Sequence, residues 1–344
     1  MPNFAALSLP VLAVLFAAGA GLVWYAGTRL AAYADEVSQR TGIGQAVIGV
    51  LLLGAVTSLP EISTTTVATL SGNPAMAINN MLGGIALQVV AIALADLFVG
   101  QKALTSMVPS TRTMLNALVS IVLLVLAAIG VMIGDWTLPG GIGFFPLLIG
   151  VVFVLCLRQT SREGAIGGWV PADEAEVAGD EIESMAMSSA RLAGLATLMG
   201  TIILGGGTLV TLAAEGIAES TGASTGLIGL TLLAAATSLP ELSTAIAAVR
   251  LRRAELAIGD ILGGNMFDVV LILLIDVLDD GEPVLRQVEA SSLTAALLAI
   301  LLTTLILIGL VERRDQYAFR MGYDSIAVLL VYSAGIAAIL TGFP

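Results

Sequence analysis

The sequence predicts an all-α integral membrane protein: ten transmembrane helices arranged as two inverted five-helix repeats. Three observations predict it, namely an apolar composition, a one-sided distribution of basic residues and an ungapped internal repeat. Of the 344 residues, 57% are hydrophobic and 12% charged, about half the charged share of an ordinary soluble domain. Mean hydropathy is +0.99. The 38 glycines suit helices that pack closely in lipid.

A helix needs about 20 mostly apolar residues to cross the hydrocarbon. Ten stretches qualify: Leu7–Tyr33, Gly42–Leu70, Ala75–Phe98, Thr111–Ile133, Gly140–Leu157, Arg191–Ile217, Gly222–Val249, Leu256–Leu278, Glu289–Leu310 and Asp324–Gly342. Of the 14 Lys and Arg residues, only Arg286 falls in an even-numbered loop. The positive-inside rule then puts the odd-numbered loops in the cytoplasm and both termini outside, in an inner (plasma) membrane. No basic run precedes the first apolar stretch, so no cleaved signal peptide is expected. The polar segment 158–190, with Asp173, Glu174, Glu176, Asp180, Glu181 and Glu183, reads as a solvated cytoplasmic linker. It separates a first half, 1–157, from a second, 191–344.

The halves repeat. Gly21–Phe98 lies over Thr201–Leu278 without a gap, so that VIGVLLLGAVTSLPEISTTTVA falls on LIGLTLLAAATSLPELSTAIAA and AMAINNMLGGIALQ on ELAIGDILGGNMFD. Each half has an odd number of spans, so the copies enter the membrane from opposite sides. That is the inverted repeat of many secondary transporters, whose site lies at the midplane between the copies.

The repeated polar residues are the candidate site. Glu61 and Glu241 sit mid-span among apolar residues, where a carboxylate is costly and marks an ion pathway or proton relay. Each follows a proline. Pro60 and Pro240 should kink their helices and free the carbonyls of Val56 and Ala236. Thr57 and Glu61, like Thr237 and Glu241, are four apart and so share a helical face. Carboxylate, hydroxyl and carbonyl oxygens are the hard ligands that Ca2+ takes, and Na+ is a hard cation too. In the third span of the second half Asp260, Gly264 and Asp268 share a face; their counterparts are Asn80, Gly84 and Gln88. Asp96 and Asp276 read as interfacial residues. The acidic group Asp276, Asp279, Asp280 and Glu282 reads as a solvated loop.

Composition narrows the function classes. A net charge of −12 and the absence of histidine argue against nucleic acid and remove the usual transition-metal ligand. There is no nucleophile–base set, so an intramembrane enzyme fits poorly. A channel could use the same oxygens without alternating access. The expected partners are transported cations and the lipid bilayer; no resident cofactor or obligate protein partner is evident.

These residues resemble the cation/calcium antiporter family, of which the sodium/calcium exchangers are members. Its repeats carry a G-T-S-L-P-E motif on the second helix and a G-N-x-x-G-S-N-x-x-[ND] motif on the third. Here they read AVTSLPE and AATSLPE, then INNMLGGIALQ and IGDILGGNMFD. The resemblance implies a secondary-active antiporter that exchanges a divalent cation, Ca2+, for Na+. Glu61 and Glu241, with backbone oxygens of Thr57 and Thr237, would bind the divalent ion. Asp268 and Gln88 would take the central Asn/Asp positions. Ser58, Ser238 and the carbonyl of Ala234 would serve Na+. The first and sixth helices would slide over a fixed core. The sequence departs from the pattern at Gly84 and Gly264, where the family has Ser, at Ile85, at Gln88, and at Asp260, which adds a carboxylate. Proton coupling, or Mg2+ or Mn2+ as cargo, is the alternative those departures leave open.

Overall fold

The structure is a computed structural model and describes residues 4, 7–41, 58–100, 102–108, 111–160, 187–250, 252 and 254–341. It is almost wholly helical. In the first half α1 spans Leu9–Thr41, α2 Leu59–Leu70, α3 Pro74–Asp96, α4 Thr111–Ile133 and α5 Phe144–Thr160. In the second, α6 spans Ser189–Thr221, α7 Thr225–Thr237, α8 Leu239–Arg250, α9 Ala254–Leu278, α10 Ala290–Glu312 and α11 Tyr323–Thr341. Among the described residues seven helices are long and apolar enough to cross a membrane, or eight if α7 and α8 form one bent span. The protein is therefore a multi-pass membrane protein. The whole of the expected second span before Ser58, and nearly all of the acidic linker, lie outside the described residues.

α3 is the axis of the molecule, largely enclosed by other helices, whereas α11 turns most of its surface outward. Helix α3 packs on the second half through backbone. A Cβ on Gly83 would run into the Leu230 carbonyl, and one on Gly229 would lie 2.5 Å from the Met76 carbonyl. Small residues substitute here for the hydrophobic driving force that lipid removes. Helix α7 widens to π geometry over Gly229–Leu233, within the segment that meets α3.

The two 33-residue helices α1 and α6 form the most extensive helix–helix contact and lie mostly at the periphery. Their crossing is close at Gly19, whose Cβ would lie 3.1 Å from the Gly206 carbonyl. Each rests on the kinked helix of the other half. Gly27 of α1 faces Pro240, and Gly207 of α6 faces Ser63.

Asp96 and Asp276, at the ends of their helices, do not face solvent. Both are buried, because each carboxylate ties two backbone segments to the end of a core helix. Asp96 accepts from Leu104 N at 2.8 Å and Gly322 N at 2.6 Å. Asp276 accepts from Val284 N at 3.0 Å and Gly143 N at 2.6 Å. In each case one donor lies eight residues ahead and the other in a hairpin of the opposite half. Charge-assisted bonds of this kind are about twice as strong as neutral ones. Asp96→Ala leaves two buried N–H groups unmet, which costs on the order of 2–5 kcal/mol. A clearly lowered thermal unfolding midpoint in detergent, with ion dependence unchanged at low temperature, is the expected result.

Both hairpins are short but they turn differently: the first closes from Leu138 N to Ile142 O at 2.8 Å around three residues, the second from Ala318 to Met321 around two. Thr137 bridges Gly143 and Phe144 N donates to Trp136 O at 2.8 Å. In the second half β1 (Tyr317–Ala318) pairs antiparallel with β2 (Met321–Gly322), and Tyr323 N donates to Gln316 O at 3.3 Å. The first turns through Gly140 and Gly141, with φ of 100° and 86°; the second turns through Phe319 and Arg320, with φ of 51° and 66°.

Candidate ion site

The TSLPE motifs build the same backbone twice. Ser58 has φ −84° and ψ 12°, and Ser238 has φ −83° and ψ 0°. A helix begins at the next residue in each copy, with proline in its first turn, where a missing N–H costs nothing. At the second motif the axis bends by 41°. The predicted kink is thus present, but it breaks the helix at serine, so Thr237 and Glu241 lie on either side of the break rather than on one continuous face. Thr57 lies outside the described residues. Glu61 and Glu241 each fall in the first helical turn, where unsatisfied N–H groups favour negative charge.

The two motifs meet at one centre. Glu61 is buried, and neither of its carboxylate oxygens has a hydrogen-bond partner among the described residues. Glu241 is 8% exposed and its Oε2 is likewise unpartnered. Both interact electrostatically with Asp268, and Glu61 also with Glu241. The Thr237 side chain lies beside Glu61 of the other half, while its hydroxyl sits 3.3 Å from the Ala234 carbonyl. That carbonyl also accepts Ser238 N at 3.0 Å.

Asp268 joins the halves. Ser58 donates to Asp268 Oδ1 at 2.7 Å, and Gln88 Nε2 donates to Oδ2 at 3.3 Å. Gln88 Oε1 and Ser238 Oγ are buried without partners. A Cβ on Gly84 would stand 3.8 Å from that Ser238 oxygen, and one on Gly264 would meet nothing within 4 Å. Asp260 is half-buried on α9, close enough to Glu241 for their charges to interact. Among the described residues no three acidic, His or Cys side chains close round a metal position. An ion held here needs hydroxyl and carbonyl oxygens as well as the carboxylates.

Of the sequence candidates, Glu61, Glu241, Asp268, Gln88, Ser58, Ser238, Thr237 and Ala234 gather around this centre, and Asp260 borders it. A supporting shell was not singled out from sequence. Thr64 Oγ1 sits 3.0 Å from the Pro60 carbonyl and 3.2 Å from that of Glu61, and it accepts Asn80 Nδ2 at 3.0 Å. Thr244 repeats the second contact, at 3.0 Å from the Glu241 carbonyl. The signal was there, since Thr64 and Thr244 coincide in the repeat three residues after each glutamate. Asn265, whose side-chain oxygen and nitrogen are both buried without partners, also lies in the repeated glycine motif.

The family model for the sodium/calcium exchanger protein matches residues 11–157 and 191–340, covering both motifs in both halves. The chain belongs to that family. Members exchange cations across membranes, which makes this protein a cation/calcium antiporter by family. Among its relatives is the inner membrane protein YrbG of Escherichia coli (strain K12). The two are 29% identical over 263 residues, which is 75% of this chain and 77% of the relative. An uncharacterized membrane protein of Methanocaldococcus jannaschii is 27% identical over 259 residues, 74% and 77% of the two chains. In fold, this antiporter superposes on the sodium-calcium exchanger NCX_Mj with a TM-score of 0.62. The identity is 21%, and the match covers 96% of this chain and 99% of that one.

Proposed function

We propose that this antiporter exchanges Ca2+ for Na+ by alternating access between two inverted halves of five spans each. The reading rests above all on Glu61, a buried carboxylate with two unpartnered oxygens at a centre to which both halves contribute. Such a group is costly to bury alone and is stabilised by a cation or a proton. In this reading Glu61 and Glu241 hold the divalent ion, aided by backbone oxygens of Thr57 and Thr237. Asp268 and Gln88 lie between the halves, and Ser58, Ser238 and the Ala234 carbonyl take Na+. Asp260 adds negative charge at the edge of the centre. Helices α1 and α6, which meet the core through glycines, slide as a pair over α2, α3, α8 and α9. Odd-numbered loops face the cytoplasm of an inner membrane and both termini face outside.

Radiolabelled Ca2+ uptake into proteoliposomes tests this. Vesicles loaded with Na+ are expected to accumulate Ca2+, and vesicles loaded with K+ at the same pH are not. Equal uptake from both, by folded protein, overturns sodium coupling.

A second reading has its own observation. Gly84 and Gly264 supply no hydroxyl where the family has serine, which leaves Ser238 Oγ without a partner. Fewer sodium ligands favour H+ coupling, or Mg2+ or Mn2+ as cargo. Uptake driven by a pH gradient without Na+ supports this second reading.

A further inference from the structure

A two-residue hairpin turn with both central residues at positive φ normally uses Asn-Gly, Asp-Gly or Gly-Gly. The turn between β1 and β2 has Phe319 and Arg320 there, at φ 51° and 66°. For a bulky residue such as phenylalanine this is a strained conformation. The hairpin of the first half closes over three residues, Pro139, Gly140 and Gly141, and has glycine at both of its positive-φ positions. The tighter two-residue turn of the second half has glycine at neither, and the strain at Phe319 and Arg320 needs another reason. Strain of this kind marks functional positions.

The surroundings supply the reason. Phe319 is 90% exposed and Arg320 is exposed beside it. The hairpin joins the ends of two span-length helices, α10 and α11, so it stands at the level of the lipid headgroups. The same end carries exposed Arg314, Lys102, Arg250 and Arg252, brought together because Ala103 N donates to Asp315 at 3.0 Å and Arg250 lies over the Phe98 ring. The acids nearby are largely engaged. Asp315 accepts that N–H, Asp324 accepts Thr105 Oγ1 at 2.6 Å and Ser325 N at 2.9 Å, and Asp96 accepts Gly322 N. Glu312 lies 3.8 Å from Arg314.

We propose that the Tyr317–Gly322 hairpin is a docking site for anionic phospholipid headgroups. Arg314 and Arg320 meet the phosphate, and Phe319 is held outward to sit among the upper acyl chains. Apolar side chains such as phenylalanine anchor interfacial segments at the headgroup–acyl boundary, and basic residues beside a span attract anionic lipid. The proposal is independent of which ions are exchanged.

The test uses the full chain in detergent, titrated with phosphatidylglycerol and separately with phosphatidylcholine, with bound lipid counted by native mass spectrometry. Wild-type protein is expected to retain phosphatidylglycerol in preference. The pair Arg314→Gln and Arg320→Gln is expected to weaken that retention by about thirtyfold, the effect of two basic residues near a headgroup. Phe319→Gly relieves the turn, so lipid-free protein should unfold at a higher temperature yet hold less phosphatidylglycerol. Equal retention of the two lipids by wild type overturns the proposal. So does unchanged phosphatidylglycerol retention in both variants, with folding monitored by the unfolding midpoint.

Discussion

Glu61→Gln and Glu241→Gln are each expected to abolish Ca2+ uptake while leaving the protein folded. Glutamine keeps the shape and removes the charge. A carboxylate bound to a cation contributes on the order of 3 kcal/mol beyond a neutral ligand, and so about a hundredfold in affinity. The fold should not suffer, because neither Glu61 oxygen bonds to another described residue and an uncharged side chain is cheaper to bury. Thermal unfolding separates the two effects. Ca2+ should raise the midpoint of wild-type protein, as any ligand selective for the native state does, and should fail to raise that of Glu61→Gln. Without Ca2+, the glutamine variant should unfold at the same temperature as wild type or higher. Retained uptake and retained Ca2+ stabilisation in Glu61→Gln would sink the assignment of this carboxylate.

Why these glutamates were legible from sequence, and other features were not, follows from what a repeat encodes. A mid-span carboxylate after proline, seen twice in register, has few structural explanations, and the structure puts both copies at one buried centre. The helix Thr111–Ile133 was equally plain, because a long apolar run fixes a span by length. Partnership across the halves was not legible. Ser58 bonds Asp268, 210 positions away, and Thr237 lies by Glu61 rather than Glu241, a choice made by how the halves pack. Asp96 and Asp276 misled for a related reason. A charged residue near a span end reads as solvated, yet its carboxylate is buried by backbone N–H groups from a hairpin far along the chain. The break at Ser238 rather than at Pro240 is a local effect of placing proline in the first turn of a new helix.

The pair Gly84→Ser and Gly264→Ser is expected to strengthen dependence on Na+. Both positions are helical and neither has a positive φ, so a side chain introduces no backbone strain and gains slightly in helix propensity. Space exists as well: the new Cβ at position 84 stands in ordinary contact with Ser238 Oγ, and that at 264 meets nothing. A hydroxyl at 84 gives the unpartnered Ser238 oxygen a neighbour and adds an oxygen to the centre; one at 264 adds another from α9. Each good polar ligand contributes about 1 kcal/mol, so the Na+ concentration for half-maximal Ca2+ uptake should fall by about tenfold or more in the double variant. The Ca2+ requirement for Glu61 and Glu241 should persist, since neither glutamate is touched. If wild-type uptake follows a pH gradient and the double variant acquires Na+ dependence, the two glycines are what set the coupling ion in this chain. If the Na+ dependence of the double variant matches that of wild type, these positions are not sodium ligands here. The weight then moves to Ser58 and the Ala234 carbonyl, whose hydrogen bonds to Asp268 and from Ser238 N would have to open when Na+ binds.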